Sequence, residues 1–182
     1  MKSFFYIVLS SLLCSHAFAA DFIVSSPDVR AGAKIADEQV FNGFGCQGRN
    51  ISPAINWTGA PAGTKSYAVT LYDPDAPTGS GWWHWVVFNI AAPATGIGRN
   101  AGDPQANLLP PGSVQSRTDF GKPGYGGPCP PTGDKPHRYV FTVHALKVDK
   151  LPLDSDAPAA MVGYYLHQNA LGKAVLKAQY GR

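Results

Sequence analysis

Two segments of this chain carry a histidine directly from a turn-rich stretch into an apolar run that is rich in β-branched and aromatic residues. The first, residues 71–88, contains Asp73-Pro74-Asp75-Ala76-Pro77 and then Trp82-Trp83-His84-Trp85; the second, residues 127–141, contains Pro136-His137-Arg138-Tyr139. Glycine and proline interrupt strands, whereas β-branched and aromatic residues favour them. Both histidines are therefore predicted at strand ends, where they are expected to face one pocket.

Further apolar runs predict a mainly β fold. Strands are expected at residues 22–24, 51–57, 66–72, 85–90 and 139–148, and the last of these is the longest. The nearly continuous apolar run at 85–90 indicates a strand buried on both faces. Residues 97–127 show no periodicity and are predicted to form a long loop or short irregular hairpins.

One helix is predicted near the C-terminus. It begins near Pro158, with Ser155 or Asp156 as the N-cap, and runs to about Gln168. Residues 174–180 are compatible with a continued helix or with a returning strand. The apolar positions that fit a helical stripe are Met161, Tyr164 or Tyr165, and Leu171.

The N-terminal residues predict export. Lys2 precedes an apolar run at 4–13, and Ala17-Phe18-Ala19 has the small-x-small pattern of a signal peptidase site. The run is shorter than the ~20 residues that a membrane-spanning helix needs. Residues 1–19 are therefore predicted to be a removed signal peptide, residues 20–182 a single domain, and the protein periplasmic or secreted.

The cysteine count and the net charge argue against a structural zinc site and against a nucleic-acid partner. Only Cys46 and Cys129 remain after the predicted leader, and in an oxidising compartment two such thiols are expected to pair. Two cysteines alone make a poor structural zinc site. The net charge of +3 in the full chain is too small to indicate a nucleic-acid partner.

The aspartates of the first segment have two interpretations. In one, Asp73 and Asp75 cap backbone N–H groups of a rigid turn. In the other, at least one carboxylate orients a histidine. Asp73-Pro74 and Ala76-Pro77 are both candidates for a cis peptide bond.

The histidines also have two interpretations. His84 is either a core imidazole bonded to backbone or a pocket residue, and a period of two places it on the face opposite Trp83 and Trp85. His137 and Tyr139 share a strand face by the same rule. Imidazole, phenol and backbone N–H groups of residues 127–133 would together suit an oxyanion such as phosphate.

These segments resemble the two signature segments of the phosphatidylethanolamine-binding protein family, and within it the bacterial YbhB/YbcL branch, often labelled Raf-kinase-inhibitor-like. The resemblance extends to Phe44-Gly45-Cys46, Asn50-Ile51-Ser52-Pro53 and residues 157–165, and so covers nearly the whole chain after residue 19. It implies a β-sandwich with a large antiparallel sheet, a smaller sheet and a C-terminal helix. It also implies a small cavity for phosphate, acetate, cacodylate or a phosphoethanolamine head group.

Carried over residue by residue, the resemblance implies a pocket made of Asp73, His84, His137 and Tyr139, with Asp75 in the supporting turn and Cys129, Pro130 and Pro131 as a wall. Arg138 is expected to face away and support the turn. No cofactor is implied.

The sequence favours a non-enzymatic, exported binding protein for a phosphorylated small group. The alternative is an inhibitor of a protease or kinase that acts through a protein surface around the pocket. A hydrolase has little support, because the chain lacks a Gly-x-Ser-x-Gly elbow and a phosphate-cradling Gly-Lys-Ser/Thr loop. Zinc held by His84, His137 and Asp73 is the metal alternative, while the implied anion site has no metal. If the histidines supply the positive charge, binding should strengthen as pH falls toward ~6.5.

Overall fold

A computed structural model describes residues 21–182 of the chain, so the predicted signal peptide lies outside the described residues. These residues form antiparallel strands and one helix. The elements are β1 (Ile23–Ser25), β2 (Asn42–Gly43), β3 (Cys46–Gln47), β4 (Ile55–Thr58), β5 (Ser66–Asp73), β6 (Trp82–Ala91), β7 (Gly96–Ile97), β8 (Val114–Gln115), β9 (His137–Leu146), α1 (Ala159–Asn169) and β10 (Ala170–Tyr180).

The strands form one large sheet and two smaller ones. The large sheet has the order β10-β9-β5-β6-β8, the second has the order β1-β4-β7, and β2 pairs with β3. Every pairing within these sheets is antiparallel. The predicted fold class, a mainly β structure with a large antiparallel sheet, a smaller sheet and a C-terminal helix, is confirmed.

Two apolar layers cover the two faces of the large sheet. On one face, side chains of the β1-β4-β7 sheet pack against the large sheet, and this layer includes Val24, Trp57, Ile97, Val69, Leu71 and Phe141. On the other face, Val162 and Leu166 of α1 pack against Val86, Phe88 and Leu146. The large sheet is therefore buried on both faces, as the apolar run in β6 predicts.

The helix differs from its prediction in its cap and in its buried face. Pro158 occupies the N-cap position, because the preceding Ser155 and Asp156 belong to a turn in which Asp154 Oδ1 accepts the N–H of Asp156 at 2.9 Å. The predicted stripe is also wrong. Ala159, Val162 and Leu166 are the buried positions, whereas Met161 and Tyr164 are 49% and 62% exposed.

The C-terminal segment is a strand. β10 follows α1 directly and pairs with β9 along most of its length, which resolves the alternative left open at residues 174–180. With 11 residues it is one residue longer than β9, the strand predicted at residues 139–148. Residues 170–180 form a strand because they make hydrogen bonds to the neighbouring strand β9, and this pairing could not be predicted from the local sequence.

The long segment 97–127 is mostly irregular, as predicted, and contributes only β8 and the end of β7. The prediction of a cis peptide at Asp73-Pro74 or Ala76-Pro77 is wrong, because residues 21–182 contain no cis peptide bond. The turn closes instead through Asp73 Oδ1, which accepts the N–H of Asp75 at 2.8 Å. No helix in the described part of the chain is long and apolar enough to cross a membrane.

Candidate functional site

The candidate site lies where three neighbouring strands of the large sheet begin or end. β5 runs antiparallel to both β6 and β9, so its carboxyl end adjoins the amino ends of both neighbours. Asp73 is the last residue of β5, His84 lies near the start of β6, and His137 is the first residue of β9. This topology brings together two segments that are far apart in sequence.

Asp73 and His137 form a buried pair at the base of the site. Their side chains are 3% and 5% exposed, and Nδ1 of His137 lies 2.7 Å from Oδ2 of Asp73. The other ring nitrogen of His137 lies 3.5 Å from Oδ2 of Asp134. Because carboxylate oxygens accept hydrogen bonds, Nδ1 carries a hydrogen and the imidazole is oriented by Asp73. The structure supports both interpretations of the aspartates, because Asp73 orients His137 while Asp73 and Asp75 also accept backbone N–H groups.

Asp75 binds Arg138 and does not face the cavity. Its carboxylate accepts three hydrogen bonds from Arg138, namely from the backbone N–H at 2.8 Å, from Nε at 2.8 Å and from Nη2 at 2.6 Å. The Arg138 side chain, chiefly through its hydrogen bonds, lowers the pKa of Asp75 to about 2. Asp75 does not line the cavity. It belongs to the supporting turn, and Arg138 turns away from the cavity and supports that turn, as expected.

His84 is held by a loop rather than by a carboxylate. Its Nδ1 lies 2.7 Å from the carbonyl oxygen of Gly126, and its own carbonyl accepts the N–H of Gly126 at 2.9 Å. The side chain is buried, and burial lowers the pKa of His84 to about 4. The imidazole is thus neutral at physiological pH. Since a carbonyl only accepts, Nδ1 carries the hydrogen and Nε2 carries a lone pair.

A β-bulge decides which way His84 points. Leu71 pairs with Trp85 and Tyr72 pairs with Trp83, so His84 is the extra residue between them. Trp83 packs on the helix side of the sheet, whereas Trp85 lies in the same apolar layer as Tyr139. His84 contacts Tyr139 with ring centroids 5.2 Å apart. The predicted opposition of His84 to Trp83 is correct, and the predicted opposition to Trp85 is wrong because the bulge interrupts the period of two.

Tyr139 supplies a hydroxyl with no partner. The residue is fully buried, and its hydroxyl makes no hydrogen bond to any residue in the 21–182 range. Burial first, and then the nearby Asp73 carboxylate, raise the pKa of Tyr139 above its ordinary value. The phenol therefore keeps its proton, and its hydroxyl lies buried near the Asp73 carboxylate.

These polar groups line a cavity of about 180 Å³. The predicted residues that line it are Asp73, His84, Cys129, Pro130, Pro131, His137 and Tyr139, joined by Phe44, Ala76, Pro77, Thr78, Trp82 and Phe120. Among the added residues, Phe44 is 69% exposed and stacks on Phe120 with ring centroids 6.0 Å apart. The polar side chains thus lie deep in the cavity, while an aromatic side chain is exposed at its mouth.

The sequence interpretation missed most of this aromatic lining. Phe44 belongs to a segment that carried the family resemblance, and Trp82 directly precedes Trp83 in the first histidine segment. The sequence therefore weakly indicated that both residues lie near the site. Phe120 lies in the stretch without periodicity, and no local pattern marks it. Only the fold places Phe120 beside His84, with ring centroids 5.4 Å apart.

The wall of the cavity is tied down covalently. A disulfide joins Cys46 of β3 to Cys129, which confirms the predicted pairing. Arg182 adds hydrogen bonds from Nε to the carbonyl of Pro130 at 2.8 Å and from Nη2 to that of Phe44 at 3.1 Å. The two sides of the mouth are therefore linked by both a covalent bond and an arginine side chain.

Few backbone N–H groups of residues 127–133 are free to bind an oxyanion, contrary to the prediction. Three of these residues are prolines, which have no N–H. The N–H of Gly127 donates to Asn50 Oδ1 at 2.8 Å, and that of Gly133 donates to the carbonyl of Arg182 at 3.1 Å. The loop therefore serves as a wall, and its glycine N–H groups are already used within the protein.

Metal ligation finds no support in the geometry. No group of three or more His, Cys, Asp or Glu side chains within residues 21–182 is arranged to hold a metal ion. The Nδ1 atoms of His84 and His137 both carry hydrogens that are donated to protein oxygens.

Comparison with known proteins identifies the family. Residues 25–181 match the model of the family described as phosphatidylethanolamine-binding protein. This chain belongs to the phosphatidylethanolamine-binding protein family. The chain is 49% identical to UPF0098 protein YbcL of Escherichia coli over 99% of this chain and 98% of YbcL. It is 50% identical to UPF0098 protein YbhB of the same organism over 85% of this chain and 97% of YbhB.

Structural comparison agrees with membership of this family. The crystal structure of E. coli YbcL superposes with a TM-score of 0.88 at 52% identity, covering 90% of this chain and 99% of that one. A protein of Mycobacterium tuberculosis named as lipoprotein LppC is 34% identical over 87% of this chain and 71% of its own. The family resemblance read from the two histidine segments is confirmed.

Proposed function

We propose that this protein is an exported binding protein whose cavity holds a phosphate or phosphoethanolamine-type group without changing it chemically. The observation that carries the proposal is the convergence of three buried polar groups in one small cavity, namely the Asp73–His137 pair, the His84 imidazole and the Tyr139 hydroxyl. Polar groups with unused hydrogen-bonding capacity in a largely apolar cavity are typical of a small-molecule site.

The charges in the cavity favour a zwitterionic ligand. The carboxylate of Asp73 would repel a phosphate that lacked a compensating positive charge, and His84 is neutral. The ammonium group of phosphoethanolamine would bring that charge with the ligand. Aromatic faces such as those of Phe44, Trp82 and Phe120, which line the cavity, attract ammonium groups.

The lining argues for binding rather than catalysis. Cys129 is held in the disulfide and is not a free thiolate, and the raised pKa of Tyr139 keeps its hydroxyl protonated. Thr78 donates its hydroxyl to the carbonyl of Gly81. None of these three side chains is a free thiolate, a phenolate or an unbonded aliphatic hydroxyl, so none is an activated nucleophile.

Export is supported by two observations. The disulfide between Cys46 and Cys129 is of the kind that persists in oxidising compartments. The relative named as a lipoprotein points to the same location. Together with the predicted signal peptide at residues 1–19, these observations favour the periplasm or the cell exterior.

Isothermal calorimetry with O-phosphoethanolamine tests the proposal. The mature protein should bind one equivalent saturably, and a His84→Ala, His137→Ala double variant should not, provided that its near-UV circular dichroism shows a folded state. His167→Ala is the matched control, because His167 is exposed on α1 and is not among the cavity-lining residues. Phosphorus NMR should show the ligand intact after prolonged incubation. Absence of binding by the wild type would overturn the proposal.

The alternative of a protease or kinase inhibitor is favoured by one observation. Phe44 is 69% exposed at the cavity mouth, where an inhibitor would present a surface to its target. In that case the mature protein should form a stable one-to-one complex with a target enzyme, and Phe44→Ser should weaken it. Retention of no partner by the immobilised mature protein would count against this alternative.

A further inference from the structure

His84 presents a hydrogen-bond acceptor, not a donor, to the cavity. Its Nδ1 hydrogen is committed to the Gly126 carbonyl at 2.7 Å, and that carbonyl can only accept. In the neutral ring the second nitrogen, Nε2, therefore has a lone pair. No residue between 21 and 182 donates a hydrogen bond to Nε2, and His84 lines the cavity, so the lone pair of Nε2 is available to a ligand.

The loop geometry makes this tautomer the stable one. Gly126 is tied to His84 twice, through the ring and through its own N–H to the His84 carbonyl at 2.9 Å. A Cβ at residue 126 would lie 2.3 Å from the ring of Phe120, so the backbone there is closely packed. Turning the His84 ring over would leave the Gly126 carbonyl without its ring donor in a buried site, which costs free energy.

The ligand must therefore supply the hydrogen at this position. A fully ionised oxyanion would place its lone pairs against the lone pair of Nε2, which is repulsive. A phosphate monoester in its monoanionic form carries one P–OH group, which can donate to Nε2, while another oxygen accepts from the Tyr139 hydroxyl. A phosphodiester has the same charge but no hydrogen on any oxygen.

We propose that the His84–Gly126 arrangement makes the site selective for an oxyanion that carries its own proton, such as the monoanion of a phosphate monoester, over a phosphodiester. The inference rests on the proposed function and specifies the chemical class that the site accepts. It excludes an intact phospholipid head group, which is a diester, as the preferred occupant. The selectivity arises because a phosphodiester would leave the buried Nε2 of His84 without a hydrogen-bond partner.

Ethyl phosphate and dimethyl phosphate provide a matched test, because they are isomers. At about pH 5 both carry close to one negative charge, since the second pKa of a phosphate monoester is about 6. Calorimetry or amide chemical shifts should show that the wild type binds ethyl phosphate at least about tenfold more tightly, the size expected for one unpaired buried group. Equal affinities would overturn the inference and leave the proposed function intact.

Variants of His84 separate the acceptor from the packing of the ring. His84→Asn keeps an N–H donor near the Nδ1 position for Gly126 but has no atom at the Nε2 position, so the preference should fall to about twofold or less. His84→Gln can turn its amide nitrogen toward the ligand, and it should bind the diester about as well as the monoester. A preference unchanged in the folded His84→Asn variant would overturn the assignment to His84.

Two further readouts do not depend on a variant that folds. Long-range ¹H–¹⁵N NMR of the wild-type imidazoles should show the hydrogen of His84 on Nδ1 at neutral pH, and a hydrogen on Nε2 would overturn the inference. Ethanolamine, which lacks the phosphate group, is the last ligand to be tested. If it binds as tightly as O-phosphoethanolamine, or if neither phosphate ester binds, both the proposed function and this inference are overturned.

Discussion

Nδ1 of His137 donates to Oδ2 of Asp73 across 2.7 Å, between the first residue of β9 and the last residue of β5. Both side chains are at most 5% exposed. Asp73 also accepts the N–H of Asp75 through Oδ1, so each of its oxygens has a protein partner. The pair fixes the orientation of one imidazole at the base of the cavity and connects it to the Asp-Pro-Asp turn.

Replacement of Asp73 should weaken the fold. Asp73→Asn keeps the shape but removes the charge that His137 contacts, and we expect the free energy of unfolding to fall by about 2 kcal/mol, since a hydrogen bond to a charged group contributes about that amount. Urea denaturation would measure the change. Asp134→Asn is the control, because Asp134 is 43% exposed and lies 3.5 Å from Nε2 of His137. It should change stability by less than about 0.5 kcal/mol, and an equal loss in both variants would contradict the account.

The Tyr139 hydroxyl should matter for binding more than for stability. Because it is buried without a partner, Tyr139→Phe removes no hydrogen bond from the unliganded protein and should leave stability equal or slightly higher. Loss of the donor should weaken binding of O-phosphoethanolamine by about tenfold. Thermal unfolding and calorimetry on the same samples give both quantities. Unchanged affinity would remove Tyr139 from the ligand-binding set.

Stability should fall in acid because of two buried imidazoles. Burial lowers the pKa of His84 to about 4 and that of His144 to about 3. The unfolded chain, with ordinary histidine pKa values of about 6.5, therefore binds more protons than the folded chain below that pH. The free energy of unfolding should decrease from pH 6.5 downward and continue to decrease until about pH 4 for His84 and about pH 3 for His144. His84 contributes about 3 kcal/mol and His144 about 5 kcal/mol, because each pKa unit corresponds to about 1.4 kcal/mol.

A substitution at His144 isolates its share of this effect. Nδ1 of His144 is buried and without a partner among residues 21–182, and Nε2 lies 3.4 Å from the Thr70 hydroxyl. His144→Leu should therefore be close to neutral at pH 7.5 and more stable than the wild type at pH 4.5. Urea denaturation at both pH values measures the difference. Parallel pH profiles for the two proteins would show that His144 is not the acid-sensitive group.

The disulfide should support both the fold and the cavity wall. Cys46 and Cys129 are separated by 83 residues in sequence, and a closed loop of that length contributes about 4 kcal/mol on the chain-entropy model. A Cys46→Ser, Cys129→Ser double variant should lose about 2–4 kcal/mol of unfolding free energy. It should also bind O-phosphoethanolamine more weakly, because Cys129 lines the cavity. Unchanged affinity in a folded double variant would show that the wall holds without the bond.

Binding should respond to pH mainly through the ligand. Affinity for O-phosphoethanolamine should rise as pH falls from 8 toward the phosphate pKa of about 6, because the monoanionic fraction of the ligand increases. Asp73 and Asp119 act electrostatically on His84, and His137 and Tyr139 share its cavity, so the pH profile also contains a contribution from the protein. Dimethyl phosphate, whose charge is constant, reports those protein groups alone. A profile that rises with pH would contradict the mechanism.

The local pattern of residues was enough to indicate much of this protein. Apolar runs bounded by glycine and proline indicated the strands β5, β6 and β9, because strand formation depends on side chains that lie close in sequence. The two histidine segments, and their resemblance to a family, indicated seven of the residues that line the cavity. The count of cysteines in a chain predicted to be exported indicated the pairing of Cys46 with Cys129.

Contacts between distant residues decided the rest. The bulge opposite Leu71 and Tyr72 turns His84 toward Tyr139, and no period in β6 alone reveals it. The Gly126 carbonyl, 42 positions away, selects the tautomer of His84. Arg138 donates three hydrogen bonds to the carboxylate of Asp75. Sequence patterns encode which face a residue prefers, but the chemical state of a buried polar group is set by whichever partner the tertiary fold places within hydrogen-bonding distance.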